Sequence, residues 1–171
     1  MNLAMIEKEP RMRRDLIRKA KEYIDMAIDE IRLLSREQVT PQKAFDVKEL
    51  IEKLIHELNE SSQATTKFKS EVAAELHIDE DLKLNIYRIV QEQINNILKH
   101  SDASKATISI YENDGAVHIT IIDNGKGFDP SLKRKGIGIS NMKNRIESYN
   151  GEMVITSSSG NGCRLDIRIP C

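Results

Sequence analysis

The stretch KATISIYENDGAVHITIID, from Lys105 to Asp123, decides the fold class of this 171-residue chain. Its two runs alternate apolar and polar residues and are separated by Asp114 and Gly115, a pattern that predicts a β-hairpin. Because side chains alternate between the faces of a strand, Ile121 and Asp123 share the apolar face of the second run. A buried carboxylate is costly without a donor, so Asp123 is a candidate binding residue. An Asp-Asn-Gly sequence also caps turns, and this stretch by itself leaves both interpretations open.

Helices and further strands flank the hairpin on both sides. Apolar periodicity predicts helices over Val47–Glu60, Glu80–His100 and Ile139–Tyr149. Alternation predicts strands in TKFKSEVA before the hairpin, and in EMVITSSS and CRLDIRIP after it. Elements in this order predict an α+β fold, a two-layer sandwich in which helices cover one face of a mostly antiparallel mixed sheet.

The N-terminal part of the chain has a different pattern, which predicts a long helix from about Arg11 to Val39. Its apolar residues recur at alternating steps of three and four, as in a coiled-coil seam, at Ile17, Ala20, Ile24, Ala27, Ile31 and Leu34. Pro41 ends the pattern. We predict a helical stalk over residues 1–41, which forms a homodimer through the seam, and a second domain over residues 42–171. An amphipathic helix folded back onto its own domain is the alternative.

Composition narrows the classes of function. The formal net charge of -1 creates no overall field that would attract nucleic acid, so we expect no nucleic-acid partner. The cysteines, Cys163 and Cys171, form neither a disulfide framework nor a zinc motif, which favours a reducing compartment. No apolar run approaches the roughly 20 residues of a membrane span. We expect a cytoplasmic location, whether or not a parent protein carries a membrane anchor.

One stripe of the predicted helix Glu80–His100 carries polar side chains. Arg88, Glu92, Asn96 and Lys99 follow one another at steps of four, four and three residues, which aligns them on one side. The Asn96 carbonyl together with phosphate oxygens would suit Mg²⁺, Glu92 could accept or orient a proton, and Lys99 could neutralise phosphate charge. A solvated helix face would have the same composition.

Two glycine-rich passages follow the hairpin. Gly125 and Gly127 come directly after Asp123 and leave space for a ligand, such as adenine with its exocyclic amino group, to lie against the backbone. Gly136 and Gly138 come just before the last predicted helix, where backbone N–H groups can approach phosphate oxygens. The basic run KRK just upstream suits phosphates and equally suits a solvated loop.

Taken together and in order, these motifs resemble the ATP-binding domain shared by sensor histidine kinases, DNA gyrase, Hsp90 and MutL. YRIVQEQINNILKHS resembles the asparagine box of that family, DNGKGF its first glycine box, GIGISNMKNRI its second and GNGCRLDIRIP its last. The resemblance covers roughly Phe45 to Pro170. Only DPSLKRK separates the glycine boxes, so the chain is most similar to two-component sensor kinases with a short ATP lid.

The resemblance implies ATP and Mg²⁺ as cofactors and gives roles to individual residues. Asp123 would contact adenine, Asn96 would bind Mg²⁺ and Glu92 would be the catalytic base, with the loop Phe128–Gly138 as the lid. The further nucleotide-binding residues that it implies are Lys99, His100, Gly125, Gly127, Phe128, Gly136, Ile137, Gly138, Met142 and Cys163. Cys163 stands where the family usually has threonine.

The same resemblance implies an ATP-dependent protein histidine kinase of two-component signal transduction. The stalk resembles the second of two dimerisation helices, and the sequence contains no counterpart of the first, which carries the phosphoacceptor histidine. The phosphoryl group would therefore go to a histidine outside this chain, and we expect no self-phosphorylation. Partners would be the upstream helix and sensor region of a parent protein, and a response regulator.

The chain's own histidines are poor substitutes for the acceptor. We expect His56, His77 and His118 to be solvated or capping residues, and His100 to lie at a helix C-terminus. Two other functions would use a similar domain: an ATP-binding regulatory module that transfers nothing, and an anti-sigma-type serine kinase.

Overall fold

The computed structural model describes residues 46–60, 66–130 and 137–171. These residues belong to the second of two units in the chain, Phe45–Cys171. The predicted stalk over residues 1–41 lies outside the described residues, and so do residues 131–136 of the predicted lid.

Helices form one layer of the described part: α1 is Val47–Glu60, α2 is Glu80–His100 and α3 is Ile137–Glu147. The first two have the predicted bounds, because an aspartate caps each of them. Asp46 Oδ1 accepts from the Lys48 backbone N–H at 2.9 Å, and Asp79 Oδ1 accepts from that of Leu82 at 2.6 Å. Within the described residues, no helix has both the length and the apolar character that crossing a membrane requires.

A five-stranded sheet forms the other layer, with strand order β1-β2-β3-β5-β4. The strands are β1 Lys67–Val72, β2 Lys105–Asn113, β3 Ala116–Asp123, β4 Glu152–Ser157 and β5 Cys163–Pro170. β1 and β2 pair in parallel across the α2 crossover, and the other pairs are antiparallel. The predicted α+β fold with a mostly antiparallel mixed sheet is confirmed.

The hydrophobic core lies between the two layers. The α2 side chains turned toward the sheet are buried, among them Leu82, Ile86, Ile89, Val90, Ile94 and Ile97. Isoleucines of β2 and β3 meet them from the sheet, at positions 108, 110, 119 and 121. The opposite face of the sheet is polar and partly exposed, and there His118 stacks on Tyr111 with ring centroids 5.1 Å apart. His118, which was expected to be a solvated or capping residue, is half-buried on this face.

The boundaries of α3 differ from the prediction. The sequence predicted Ile139–Tyr149, whereas the helix spans Ile137–Glu147, so Gly138 lies in its first turn instead of ahead of it. The helix ends early because Asn150 has a φ of 54°. The amide of the next residue then donates to the Ile146 carbonyl at 3.0 Å, a bond that closes helix C-termini of this type. β1 and β4 are also shorter than the predicted runs by two residues each.

Candidate functional site

A row of three side chains crosses the sheet where β3 ends. The register pairs Asp123 of β3 with Cys163 of β5, and Cys163 with Ser157 of β4. All three continue the inward-facing alternation of their strands, and Asp123 and Cys163 are 5% and 8% exposed. The row therefore forms the floor of a site on the helix-covered face of the sheet.

The Asp123 carboxylate has one oxygen bound by the protein and one without a protein partner among the described residues. Its Oδ1 accepts from the Gly125 backbone N–H at 2.8 Å. Oδ2 accepts no hydrogen bond from the described residues, and none of their fully buried side-chain oxygens or nitrogens lacks a partner, so Oδ2 keeps access to solvent. Burial raises the pKa of Asp123, and the Gly125 hydrogen bond opposes this rise. The sequence prediction that this carboxylate is buried is confirmed.

Cys163 is a neutral thiol at physiological pH. Burial raises its pKa to about 11, the charge of Asp123 adds to the rise, and a hydrogen bond with Ser157 opposes it. A thiol in that state is a small, weakly polar side chain and a poor nucleophile. Cys163 thus shapes the floor beside Asp123 without bringing a second charge to it.

The structure gives a different reason from the predicted one for the presence of glycine at the two positions after β3. A Cβ on Gly125 would overlap the Ser101 carbonyl oxygen, and a Cβ on Gly127 would overlap that of Ser158. Protein backbone therefore fills the position that a side chain would occupy at each of these glycines. Gly127 also has a φ of 59°, which favours glycine. These glycines let the loop after β3 pack tightly against its neighbours, so any contact that they make with a ligand involves their backbone.

Hydrogen bonds from three residues that the sequence analysis missed fix this loop. Ser101, at the end of α2, accepts from the Lys126 N–H through its carbonyl at 2.7 Å. Asn124 Oδ1 accepts from the backbone N–H groups of residues 104 and 105 at 3.0 and 2.9 Å. Ser157 Oγ accepts from the Phe128 N–H at 2.9 Å and donates to a backbone carbonyl of the β4–β5 turn at 2.6 Å. Local sequence gave no signal for them, because their partners are distant along the chain.

The polar stripe of α2 lies on the helix whose C-terminal end, at Ser101, binds the loop after β3. The Asn96 amide is half-buried and donates to Gln93 Oε1 at 3.4 Å, while its Oδ1 accepts nothing from the described residues. Glu92, one turn earlier, also makes no hydrogen bond or ion pair with the described residues, and its carboxylate lies against Gly138, where a Cβ would collide with it. Lys99 and His100 are exposed in the last turn of α2. The structure thus brings Glu92 and Gly138 together, which sequence spacing did not predict.

The remaining residues predicted to bind nucleotide lie in different parts of the fold. Phe128 is half-buried, Ile137 is the first residue of α3, and Gly136 lies outside the described residues. Met142 is 1% exposed and belongs to the hydrophobic core. Its core position gives no support to a direct contact with nucleotide, which stays a prediction.

The donor set fits a magnesium ion shared with a ligand. In the described part of the chain, no group of three or more His, Cys, Asp or Glu side chains could hold a metal by itself. Asn96 Oδ1 is a free carbonyl oxygen of the hard type that Mg²⁺ accepts, and this ion usually retains waters and phosphate oxygens as its other ligands. Asn96 is therefore the residue that would hold it.

Comparison with known proteins identifies the family. Residues 81–171, more than half of the chain, match the family described as histidine kinase-, DNA gyrase B-, and HSP90-like ATPase. The chain belongs to this family. The resemblance inferred from the asparagine and glycine motifs is confirmed, and membership of this ATPase family implies that the domain binds ATP.

Curated relatives of this family member are sensor kinases. It is 26% identical over 139 residues to the signal transduction histidine-protein kinase/phosphatase UhpB of Salmonella typhimurium, covering 81% of the chain and 27% of that protein. It is 30% identical over 156 residues to the sensor histidine kinase MctS of Rhizobium johnstonii, covering 87% and 33% respectively. The chain thus spans about a third or less of the length of these relatives.

Solved structures share the fold. The Acinetobacter baumannii histidine kinase AdeS aligns with a TM-score of 0.64 and 19% identity, over 95% of this chain and 85% of that one. The histidine kinase domain from the Erythrobacter litoralis EL346 blue-light activated histidine kinase aligns with a TM-score of 0.62 and 17% identity, over 78% and 67%. At these identities the comparison supports the α+β fold of this ATPase domain.

Proposed function

We propose that this chain is the ATP-binding catalytic part of a sensor histidine kinase, which transfers the γ-phosphoryl group of ATP to a histidine outside the chain. The observation that carries the proposal is the buried Asp123 carboxylate, with one oxygen that accepts no hydrogen bond from the described residues, in a member of this ATPase family. The kinase relatives support the reaction type.

Asp123 would select the base. An ionised carboxylate only accepts hydrogen bonds, so Oδ2 suits the exocyclic amino group of adenine and repels the carbonyl oxygen that guanine has at the same position. Cys163 and Ser157 complete the floor on which the ring would lie. The loop after β3 would contribute through its backbone, because protein atoms fill the space beside Gly125 and Gly127.

The phosphates would lie along the polar stripe of α2. When bound, Mg²⁺ would neutralise charge that develops on the phosphate oxygens, and Asn96 would hold it. Lys99 and His100 are exposed at the end of the same helix and would add positive charge or donors. The first turn of α3, with Gly138, would offer backbone N–H groups, and residues 128–138 would form the lid.

Glu92 would act on the acceptor histidine. Its carboxylate is free of partners among the described residues and lies at the start of α3, next to the expected phosphates. From there it would orient the acceptor imidazole and accept the proton that leaves as the nitrogen attacks phosphorus. Glu92 would thus contribute to the transfer step more than to ATP affinity.

The rest of the kinase would supply the acceptor. Residues 1–41 would form the second dimerisation helix and hold a homodimer together through the seam that begins at Ile17. The upstream helix and sensor region of a parent protein would carry the histidine and the signal input, and a response regulator would receive the phosphoryl group. The catalytic part would work in the cytoplasm.

The relative affinities for ATP and GTP test the nucleotide specificity in this proposal. Calorimetric titration of the full chain in excess Mg²⁺ should detect ATP and ADP binding, with GTP at least tenfold weaker, because guanine presents an acceptor to Asp123. Equal affinities for ATP and GTP would overturn the role of Asp123. Nucleotide binding without any transfer to an acceptor histidine would favour the regulatory module instead.

A further inference from the structure

A polar link joins α2 to α3 away from the candidate site. Asn85 Oδ1 accepts from Arg145 Nη1 at 3.2 Å, and Asn85 Nδ2 donates to the Tyr149 hydroxyl at 2.9 Å. The same amide nitrogen donates to the Asp81 carbonyl at 2.8 Å, so this one side chain bonds its own helix, the last turn of α3 and the residue two positions after that helix. The three side chains of the link, Asn85, Arg145 and Tyr149, are half-buried.

The link and the Glu92–Gly138 contact lie at opposite ends of one helix pair. Along α2 the sequence runs seven residues from Asn85 to Glu92, and along α3 it runs seven residues back from Arg145 to Gly138. The two helices are therefore antiparallel where they pack. At 1.5 Å per residue the two contacts are separated by about 10 Å along the helix axes.

The position of α3 depends on its contacts with neighbouring elements. It has only 11 residues and no acidic residue in its first turn, and it contains weak helix formers at positions 138, 140, 141 and 144. Met142 and Ile146 anchor it in the hydrophobic core, where they are 1% and 0% exposed. Apolar packing is not directional, whereas hydrogen bonds have narrow distance and angle requirements. The hydrogen bonds of Asn85 therefore restrict the axial position and rotation of α3 more narrowly than apolar packing does.

We propose that Asn85, together with Arg145 and Tyr149, positions the first turn of α3 against Glu92 and thereby sets the affinity for the nucleotide phosphates. The inference rests on the proposed function, in which this first turn meets the phosphates. The positioning residues act through the helix and do not touch the nucleotide. Adenine recognition, which depends on Asp123 in the sheet, does not depend on them.

A comparison of two asparagines tests this role. Asn59 is the matched control, since it is also half-buried and binds the backbone of Phe68 through both ends of its amide, at 2.8 and 2.9 Å, beside β1 at the opposite edge of the sheet from β4. ATP, ADP and adenosine are titrated into the parent chain, Asn85→Ala, Asn85→Asp, Tyr149→Phe and Asn59→Ala, by calorimetry for the nucleotides and ligand-observed NMR for adenosine. Thermal melting of each variant records stability.

We expect Asn85→Ala to weaken ATP binding about 5- to 10-fold and adenosine binding less than twofold. Tyr149→Phe, which removes one acceptor, should weaken ATP binding about threefold. Asn85→Asp should weaken ATP binding less than Asn85→Ala does, because the carboxylate loses the hydrogen bond to the Asp81 carbonyl but still accepts from Arg145, and the Tyr149 hydroxyl can donate to it. Asn59→Ala should lower the melting temperature and leave the affinities for all three ligands unchanged.

Equal losses for ATP and adenosine in Asn85→Ala, or the same small change in Asn85→Ala and Asn59→Ala, would overturn the positioning role while the proposed function stands. If Asn85→Ala does not fold, Tyr149→Phe is compared instead. Equal losses for ATP and adenosine in Tyr149→Phe, or the same small change as in Asn59→Ala, would then overturn the positioning role. A parent chain that binds no adenine nucleotide would instead refute the proposed function, and the positioning role with it.

Discussion

Replacing Asp123 by asparagine separates ligand binding from folding. The two side chains have the same shape, so the asparagine carbonyl still accepts from Gly125, while an amide NH₂ takes the place of Oδ2. A donor then faces the amino group of adenine, and a charge-assisted hydrogen bond of about 1.5–3 kcal/mol is lost. ATP should bind roughly 10- to 150-fold more weakly.

The same substitution should not destabilise the fold. Burial raises the pKa of Asp123, so the folded protein binds this proton more tightly than the unfolded chain does, and the ionised carboxylate opposes folding once the pH exceeds its ordinary pKa of 3.8. Asparagine removes this cost. At pH 7 Asp123→Asn should melt at the same or a higher temperature than the parent, and the advantage should disappear below pH 3.8.

Asp166→Asn is the control for charge removal. Asp166 lies in β5 on the outer face of the sheet, where a hydrogen bond from Arg164 lowers its pKa. Its charge therefore favours folding above the unfolded pKa, so Asp166→Asn should melt at a lower temperature at pH 7 and bind ATP like the parent. Calorimetric titration and thermal melting measure both properties. Parental ATP affinity in Asp123→Asn would refute the adenine contact.

Further substitutions and treatments test the other residues of the site. Asn96→Ala should make nucleotide affinity independent of Mg²⁺, and a retained Mg²⁺ dependence in titrations with and without EDTA would exclude Asn96 as the ligand. Glu92→Gln should bind ATP within about twofold of the parent but transfer its phosphoryl group at least tenfold more slowly, and an unchanged single-turnover rate would contradict its role. Iodoacetamide at pH 8 should modify the exposed Cys171 and leave Cys163 unmodified in peptide mass spectra, because burial raises the pKa of Cys163 to about 11. Equal modification of both cysteines would contradict the conclusion that Cys163 is a buried, neutral thiol.

Local sequence signals predicted the elements that depend on neighbouring residues. The bounds of α1 and α2 agree with the structure because an aspartate caps each start, and the hairpin agrees because the alternation and the turn at Asp114 lie in one segment. The burial of Asp123 could also be predicted, since the period of a strand is fixed.

Features that depend on contacts between distant segments could not be predicted in this way. The predicted start of α3 was wrong because Gly138 is tolerated inside that helix, where it packs on Glu92, 46 residues earlier in the chain. The row formed by Asp123, Cys163 and Ser157 depends on strand register, which no single strand reveals. The family resemblance gave individual roles to residues, but it gave no indication of the Asn85 link.

Phosphoryl transfer to an added acceptor tests the central claim most directly. The full chain is incubated with γ-labelled ATP, Mg²⁺ and a separate dimerisation domain that carries a phosphoacceptor histidine, and the label on each protein is tested for stability in acid and in base. We expect acid-labile, base-stable label on the acceptor domain, none on this chain, and none at all with Asp123→Asn. An unlabelled acceptor despite bound ATP, or acid-stable label on serine, would contradict the account.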